Sequence, residues 1–342
     1  MPAGDRPEAR RAGAREGLID AERGPSAKAP DARSLSHVPW HTILTVAVLG
    51  MVVYLLIPQI GKFPEAWQSI RHAEPAWLAV AVVATAGIFV AGGVQLTGAT
   101  SLPVPALRAA AAQLAAAFAA KLTPAGVGAV GVRVRFLQRS GLDTTGAVGS
   151  AALWSVAGGI VHIAWFVIAI VIAGSNSSDD DVSLPDGWIL LAGAVLVLSA
   201  IGVVVFLPRA RAWLHDRARP ALADLAHVLR RPAKAARLFG GAIGQTGCAL
   251  IAFGACLEAV GAGTGIGTMM VVYLGGTTVA AAAPTPGGLG ATEAALVAGL
   301  TATGTPTDLA VAGVLVFRTF TYWGELFAGW IAVHALRRRA LL

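Results

Sequence analysis

Two matching seven-residue runs, TPAGVGA at residues 123–129 and TPGGLGA at residues 285–291, predict how this chain folds. Five of the seven positions are identical, and the runs lie 162 residues apart. Each run interrupts a long apolar region, Ala106–Leu137 in the first case and Thr268–Thr303 in the second. Because proline and glycine interrupt helices, each region is expected to form a helical hairpin that turns at its run.

The composition around these hairpins is that of a membrane protein. The chain has 342 residues, of which 56% are hydrophobic and 13% charged, and its mean hydropathy is +0.68. Soluble domains carry about 25% charged residues, so a soluble enzyme is disfavoured. The net charge of +7 does not indicate a nucleic-acid partner, because lysine and arginine fall almost entirely between apolar stretches, as they do in membrane proteins.

Six further stretches are long enough to cross a bilayer, which takes about 20 helical residues. Together with the two interrupted regions they predict an all-α polytopic membrane protein with about six full spans and two hairpins. The predicted spans are Thr42–Ile60, Ala76–Thr97, Ala147–Ala173, Trp188–Leu207, Phe239–Gly261 and Leu309–Ala335.

The charges of the connecting segments predict the orientation. Residues 208–238 hold eight basic and two acidic side chains, whereas residues 174–187 hold four acidic side chains and no basic one. The positive-inside rule therefore places residues 208–238 and the C-terminal arginines, Arg337–Arg339, in the cytoplasm. Residues 1–39 contain seven basic and six acidic side chains and no aromatic residue, a composition typical of disorder.

The expected organisation is thus a disordered cytoplasmic tail followed by two membrane halves. The tail covers residues 1–39, the first half 40–174, an acidic outer loop 175–187, the second half 188–336 with its basic loop 208–238, and a basic cytoplasmic C-terminus 337–342. Both termini would lie in the cytoplasm of a multi-pass protein of the cell membrane.

The two halves are expected to have inverted topology. Arg108 and Arg139 flank the first interrupted region, and both favour the cytoplasm, so that region would be a re-entrant hairpin. Three full crossings per half then invert the second half, an architecture that is common among transporters. The alternative is eight to ten complete spans, although arms of about 16 residues are short for a full crossing.

The second run and its sequel also resemble a known family. PGGLGATEAAL at residues 286–296, followed by Arg318 and Thr321, resembles the flippase-like family, which forms the transmembrane region of lysylphosphatidylglycerol synthases and occurs in stand-alone relatives. The first run resembles the family's earlier motif, Pro-Gly-x-x-Gly-Gly-Asp, except that Ala129–Gly131 stands where an acid is common. Any role of that acid is therefore not carried over.

The resemblance covers residues 42–336 and implies a lipid translocase that moves a phospholipid or lipid-linked anion between leaflets. Because Leu342 follows the last predicted span closely, we expect a stand-alone member without an aminoacyl-transferase domain. Its partners would be membrane lipids, with anionic head groups favoured. The alternative is a non-transporting scaffold that recruits a lipid-modifying enzyme.

Charged side chains inside apolar segments mark the candidate site, since each costs about 2.5–3.5 kcal/mol on insertion and usually faces a protein interior or wet cavity. Glu293 either pairs with Arg318 or contacts the substrate or a coupling proton. Backbone N–H groups of the two glycine-rich turns would bind a phosphate. The residues expected to bind or translocate the substrate are Lys121, Thr123, Pro124, Gly126, Gly128, Arg133, Thr285, Pro286, Gly287, Gly288, Gly290, Glu293, Arg318, Thr321 and Glu325.

No motif for covalent or metal chemistry accompanies these residues. The sequence has no His/Cys/Asp cluster with metal-binding spacing, no nucleotide-binding loop and no Gly-x-Ser-x-Gly nucleophile elbow. We therefore expect no catalytic residue, metal or cofactor. An intramembrane enzyme that acts on lipid remains a third interpretation, and Glu293 would be its starting point.

Overall fold

The computed structural model describes residues 70–123, 126–175, 230–281 and 285–342, together with residues 68 and 283. The predicted tail, the spans Thr42–Ile60 and Trp188–Leu207, and most of the acidic and basic loops lie outside these residues.

All regular elements within the described residues are helical. In chain order they are α1 (Pro75–Ala99), α2 (Ala106–Leu122), α3 (Val127–Arg139), α4 (Thr144–Ser175), α5 (Pro232–Ala259), α6 (Ile266–Ala281), a 3₁₀ turn (Pro286–Gly288), α7 (Ala291–Ala302), α8 (Thr307–Arg318), a π turn (Thr319–Gly324) and α9 (Glu325–Arg338).

Three of these helices, α1, α4 and α5, are long and apolar enough to cross a membrane. They have 25, 32 and 28 residues, which at 1.5 Å per residue gives about 38–48 Å, more than the hydrocarbon core requires. Proline occupies the first turn of α1 and α5, where its missing N–H has no cost. The predicted all-α membrane architecture is confirmed in these elements.

Both interrupted regions are hairpins, as predicted. The first joins α2 to α3 at Gly126, and the second joins α6 to α7 through the 3₁₀ turn. Gly126, Gly287 and Gly288 have φ values of +67°, +60° and +68°, a left-handed conformation that only glycine adopts readily. The glycines of the two runs therefore make the sharp reversals possible.

The last span departs from a regular helix at its centre. Residues 307–338 are helical throughout, but the six residues Thr319–Gly324 form a π turn between α8 and α9. Periodicity did not predict this turn, because a single widened turn leaves the apolar pattern on either side intact. Such π turns are frequent at functional sites.

The predicted repeat extends over whole helices. Adding the offset of 162 residues to α2 (106–122) gives 268–284, close to α6, and adding it to α4 (144–175) gives 306–337, close to the range of α8 and α9. The same shift places α1 on α5 and α3 on α7. Each half therefore has the order long helix, hairpin, long helix.

The equivalent helices α1 and α5 pack antiparallel. A Cβ atom added to Gly98 would lie 2.3 Å from the backbone nitrogen of Leu238, and one added to Gly241 would lie 2.4 Å from that of Gln95. Further along, a Cβ on Gly87 would lie 2.8 Å from Cys248 Sγ. Along this contact the residue numbers decrease in α1 while they increase in α5, so the two helices run in opposite directions. Because α1 and α5 are equivalent helices of the repeat, the two halves are inverted relative to each other, as predicted.

The hairpins begin and end at opposite ends of the long helices. One apolar cluster combines Leu96 near the end of α1, Ala109 near the start of α2, Leu137 near the end of α3 and Ala147 near the start of α4. The other combines Ala84 of α1 and Leu257 of α5 with residues of the other hairpin and of α8: Met270 near the start of α6, Leu300 near the end of α7 and Val314 of α8. Both hairpins therefore point their tips toward the region between the two clusters.

Each hairpin packs against the last helix of the other half. A Cβ on Gly329 of α9 would lie 2.6 Å from the carbonyl oxygen of Leu114 in α2. A Cβ on Gly267 of α6 would lie 2.6 Å from the backbone nitrogen of Ala173 in α4. The halves are consequently interlocked, and the tips of both hairpins reach the middle of the last span.

Candidate functional site

The two hairpin tips meet beside the π turn. Gly287 of the second tip is so close to its neighbours that an added Cβ would lie 3.1 Å from the Cα of Lys121 and 2.9 Å from Cε2 of Tyr322. Lys121 is the penultimate residue of α2, and Tyr322 belongs to the π turn. Residues from both halves thus share one small buried region.

The first ion pair of this region joins α8 to α7. Arg318 is buried, and its Nε donates to Oε1 of Glu293 at 2.7 Å, which confirms the predicted pairing. Arg318 Nη2 also donates to the carbonyl oxygen of Gly287 at 3.4 Å. Glu293 lies in the first turn of α7, where the helix dipole favours an anion. Its Oε2 is buried and has no hydrogen-bond partner within the described part of the chain.

The second ion pair joins the first tip to α9. Lys121 Nζ donates to Oε2 of Glu325, and the two side chains are only 9% and 12% exposed. Both residues were candidates from the sequence, but nothing in the sequence paired them.

Tyr322 lies between the two ion pairs. Its ring centroid is 5.5 Å from Lys121 Nζ and 4.7 Å from the guanidinium carbon of Arg318, so both cations face the ring. Thr321, Tyr322 and Arg318 are all buried.

Arg133 lies in a different environment from the other candidates. Its guanidinium carbon stacks 3.6 Å from the ring centroid of Trp154, and its Nε donates to Oε1 of Gln113 at 3.0 Å. In the part of the chain that the structure describes, it has no carboxylate partner. Arg133 also shares no hydrogen-bond partner with Arg318 or Lys121.

Three of the turn N–H groups that are expected to bind phosphate already have partners within their own turns. The N–H of Gly128 donates to Thr123 Oγ1 at 2.8 Å, and Thr123 Oγ1 donates in turn to the carbonyl of Ala119. The N–H groups of Gly126 and Gly288 donate to carbonyl oxygens three residues earlier. Turns satisfy their own N–H groups because a buried unpaired donor is costly.

The remaining predicted turn residues have plain structural positions. Pro286 opens the 3₁₀ turn and Gly290 directly precedes α7, with a φ of +78°. Thr285 Oγ1 is buried and has no hydrogen-bond partner among the residues that the structure describes. Pro124 lies outside the described residues.

Two adjacent cavities lie against these tips. The smaller one, of about 270 Å³, is lined by Gly126 of the first tip and by Thr285, Gly287 and Gly288 of the second. The larger one, of about 650 Å³, is lined by Gln95, Trp154, His162, Tyr273, Arg318 and Glu325, among others. Thr277, Ala281 and Thr292 line both cavities.

Sequence reasoning missed the glutamines of the larger cavity and its surroundings. Gln95 is fully buried, and its Nε2 donates to the carbonyl oxygen of Trp154 at 2.8 Å. Gln113 positions Arg133. A buried amide within an apolar or alanine-rich helix was the available signal, since such a group requires a partner. His162 also lines the larger cavity, and its Nε2 lies 2.9 Å from Thr278 Oγ1.

The chain matches a known family over most of its length. Residues 42–329 match the family described as the lysylphosphatidylglycerol synthase TM region. No curated protein matches the chain. Among the residues that the structure describes, no group of three or more His, Cys, Asp or Glu residues is arranged to hold a metal ion.

Proposed function

We propose that this membrane protein, which belongs to the family of the lysylphosphatidylglycerol synthase TM region, moves a phospholipid or lipid-linked anion between leaflets. The observation that carries the proposal is the meeting of both hairpin tips at two buried ion pairs beside a cavity. Ion pairs of this kind inside a membrane usually mark a substrate or ion pathway. The activity would be transport rather than chemical conversion of the lipid.

Arg318 is the group best suited to bind the phosphate of such a lipid. A guanidinium has five N–H donors, of which Nε serves Glu293 and one Nη2 hydrogen serves the carbonyl of Gly287. The remaining donors have no hydrogen-bond partner among the described residues, and they lie beside a cavity that Arg318 itself lines. Arg318 would then exchange Glu293 for the phosphate as the head group passes.

The lengths of the hairpin arms support re-entry into the membrane from opposite faces. The arms have 17, 13, 16 and 12 residues, or about 18–26 Å, less than the hydrocarbon thickness of about 30 Å. The two hairpins also begin and end at opposite ends of the long helices. Each would therefore close the pathway toward one side of the membrane.

Exposed arginines support the proposed orientation. Arg139 at the end of α3 and the arginines Arg337, Arg338 and Arg339 at the end of α9 are all exposed. Leu137 and Leu336, which neighbour them, belong to the same apolar cluster, so these arginines lie at one end of the molecule. By the positive-inside rule this end, with the C-terminus, would face the cytoplasm of the cell membrane.

Reconstitution tests the proposal directly. The full chain is inserted into vesicles that contain head-group-labelled lipids, and the exposure of inner-leaflet label to an impermeant quencher is followed. The wild type is expected to accelerate exposure, Arg318→Ala to lose the acceleration, and the exposed control Arg139→Ala to retain it.

Absence of acceleration for every lipid class, with and without a proton gradient, would overturn the proposal. A scaffold for a lipid-modifying enzyme would then be favoured, and its function would tolerate Arg318→Ala while depending on the basic segment 208–238.

A further inference from the structure

We propose that this protein moves a proton together with each lipid anion, and that Glu293 is the group that carries the proton. The proposal rests on the proposed function and names the ion to which movement at the same site is coupled. When the phosphate of a lipid binds Arg318, the carboxylate of Glu293 loses the cation with which it pairs at 2.7 Å. A buried carboxylate without a cation is costly unless it is neutralised.

The charges of the two ion pairs balance before a lipid arrives. Two cations, Lys121 and Arg318, pair with the carboxylates of Glu325 and Glu293. A phosphodiester adds one negative charge and competes for Arg318, because guanidinium and phosphate form strong charge-assisted hydrogen bonds. One carboxylate is then in excess. In a region of low dielectric constant such an uncompensated charge is strongly disfavoured, and one bound proton removes it.

Two contacts favour Glu293 over Glu325 as the group that binds this proton. Glu293 pairs with Arg318, the cation that the phosphate takes, whereas Glu325 keeps Lys121. Oε2 of Glu293 also has no hydrogen-bond partner among the described residues, so a proton placed there breaks no existing bond. Oε2 of Glu325, by contrast, already accepts from Lys121 Nζ.

Arg318 is the cation that the structure places against Glu293 in the described part of the chain. The helix of Glu293, α7, packs against α6 and α8, whose titratable side chains are Tyr273, Asp308 and Arg318. Asp308 lies in the first turn of α8, and Arg318 is its last residue. The other titratable groups near the ion pairs and the larger cavity are Lys121, Arg133, His162, Tyr322 and Glu325. Their described hydrogen bonds and ion pairs do not include Glu293.

The two cavities give protons a route to Glu293. Thr292, its neighbour in α7, lines both cavities, and Arg318 lines the larger one. Their volumes of about 270 and 650 Å³ are large enough for several water molecules. Thr285, whose buried Oγ1 has no partner within the described residues, lines the smaller cavity. Water and hydroxyl groups can pass a proton from either cavity toward the carboxylate.

One cycle conserves both charge and protons. As the phosphate binds Arg318, the carboxylate of Glu293 accepts a proton from water on the side from which the lipid comes. When the lipid leaves toward the other leaflet, the acid returns the proton to water on that side, and Arg318 pairs with the carboxylate again. The lipid anion and the proton therefore cross in the same direction, and no net charge crosses the membrane.

Calorimetry measures whether lipid binding takes up a proton. The full chain in detergent is titrated with short-chain phosphatidylglycerol, a probe with one phosphate charge and no amine, in buffers of equal pH and different ionisation enthalpy. The dependence of the binding enthalpy on the ionisation enthalpy gives the number of protons, which is expected to be about one per lipid. The affinity should correspondingly fall about tenfold for each unit by which the pH rises in the range of this uptake.

Variants assign the proton to Glu293. Glu293→Gln replaces the acid by a neutral amide and is expected to bind the probe without proton uptake and without this pH dependence. The control Glu258→Gln removes an exposed glutamate of α5 and should keep both. The double variant Lys121→Gln with Glu325→Gln removes the second ion pair as a unit, which is milder than removing one partner. It should still take up about one proton per lipid.

Vesicles test the coupling itself. A proton gradient should drive head-group-labelled phosphatidylglycerol toward the alkaline side through the wild type, whereas a membrane potential alone should not. The control Glu258→Gln should respond like the wild type. Glu293→Gln should lose the response to the proton gradient.

The outcomes separate this inference from the proposed function. Binding of the probe without proton uptake, or uptake that persists in Glu293→Gln, overturns the inference even if lipid is moved. Proton uptake on binding without movement of any lipid overturns the proposed function and leaves proton-linked binding intact. Absence of binding overturns both, since the phosphate alone should bind Arg318. If Glu293→Gln fails to fold, the proton count and the gradient response of the wild type decide the question.

Discussion

Lys121 at the tip of the first hairpin forms a buried ion pair with Glu325 in the last span, 204 residues later. The pair connects the first half of the repeat to the second at the point where both hairpin tips meet the π turn. Equivalent positions of the repeat, Ala283 and Ile163, are uncharged. The helices of the two halves are thus repeated, but this ion pair is not.

Breaking this pair is expected to destabilise the protein. Lys121→Ala leaves the Glu325 carboxylate buried without a cation, and removal of one partner of a buried pair costs about 3–5 kcal/mol. The exchange Lys121→Glu with Glu325→Lys should recover a large part of this loss. Thermal unfolding in detergent measures the effect, with the exposed Arg108→Ala as a control. Additive losses in the exchanged variant would contradict the pairing.

The second tip should not tolerate a side chain at Gly287. A Cβ there approaches Tyr322 and Lys121 to about 3 Å, so Gly287→Ala combines overpacking of about 1–3 kcal/mol with a left-handed backbone cost of about 1–2 kcal/mol. Gly261→Ala carries the backbone cost alone, since Gly261 has a φ of +74° and open space around it. The difference between the melting-temperature shifts of the two variants measures the effect of the contact with Tyr322 and Lys121. Equal shifts would argue against that contact.

Replacement of two neighbouring glycines of α5 by alanine should change the stability of the protein in opposite directions. Gly241 packs against the backbone of Gln95, whereas Gly240 has nothing within 4 Å. Gly241→Ala should therefore destabilise by about 1–3 kcal/mol, and Gly240→Ala should stabilise by about 0.5–1 kcal/mol because glycine is unfavourable within a helix. Unfolding measurements on both variants check the antiparallel contact of α1 and α5. Indifference at Gly241 would refute it.

Arg318 should not be replaceable by lysine. A lysine retains the charge, but its compact ammonium does not reproduce the rigid geometry with which Arg318 donates to both Glu293 and the carbonyl of Gly287. Arg318→Lys is expected to insert and fold yet move lipid more slowly by about tenfold or more, the equivalent of about 1.4 kcal/mol. Quencher accessibility in vesicles gives the rate. Transport at the wild-type rate would show that the site requires only the positive charge of Arg318 and not its guanidinium geometry.

Cysteine labelling tests whether the hairpins re-enter the membrane. In a chain whose Cys248 and Cys256 have been replaced by alanine, Ser101→Cys and Asp143→Cys flank the first hairpin, and Gly261→Cys and Gly304→Cys flank the second; all four positions are exposed. A membrane-impermeant thiol reagent should label the first two from the cytoplasmic side and the last two from the outside. The tip distinguishes re-entry from two complete spans, since both arrangements leave residues 101 and 143 on one side. Labelling of Val127→Cys, which is exposed at the first tip, from the outside would establish complete spans instead.

The sequence predicted the framework because the framework is periodic and repeated. Apolar stretches such as Ala76–Thr97 predict helices whatever their neighbours, and the two Pro/Gly runs required turns. The inversion followed from charge, since Arg108 and Arg139 flank one hairpin. These signals are local or additive along the chain, so a single sequence contains them.

The sequence predicted which residues form the site, but not most of the contacts between them. Glu293 and Arg318 were paired correctly because both follow from the second hairpin and its neighbouring span. The partner of Lys121 was not predicted, because 204 residues separate it from Glu325. Their contact forms only because each hairpin packs against the last helix of the other half. The partners of the turn N–H groups were not predicted for a similar reason, since only the folded turn shows that Thr123 accepts from Gly128.

The interlocking of the halves sets the order in which the site is completed during synthesis. Glu293 emerges 25 residues before Arg318, and Lys121 emerges 204 residues before Glu325. At about 5–20 residues per second, Lys121 waits about 10–40 s for its counter-ion. Throughout that interval Lys121 lacks the carboxylate with which it pairs in the folded protein, and only the final helix supplies it. The nascent chain therefore acquires its charge balance last.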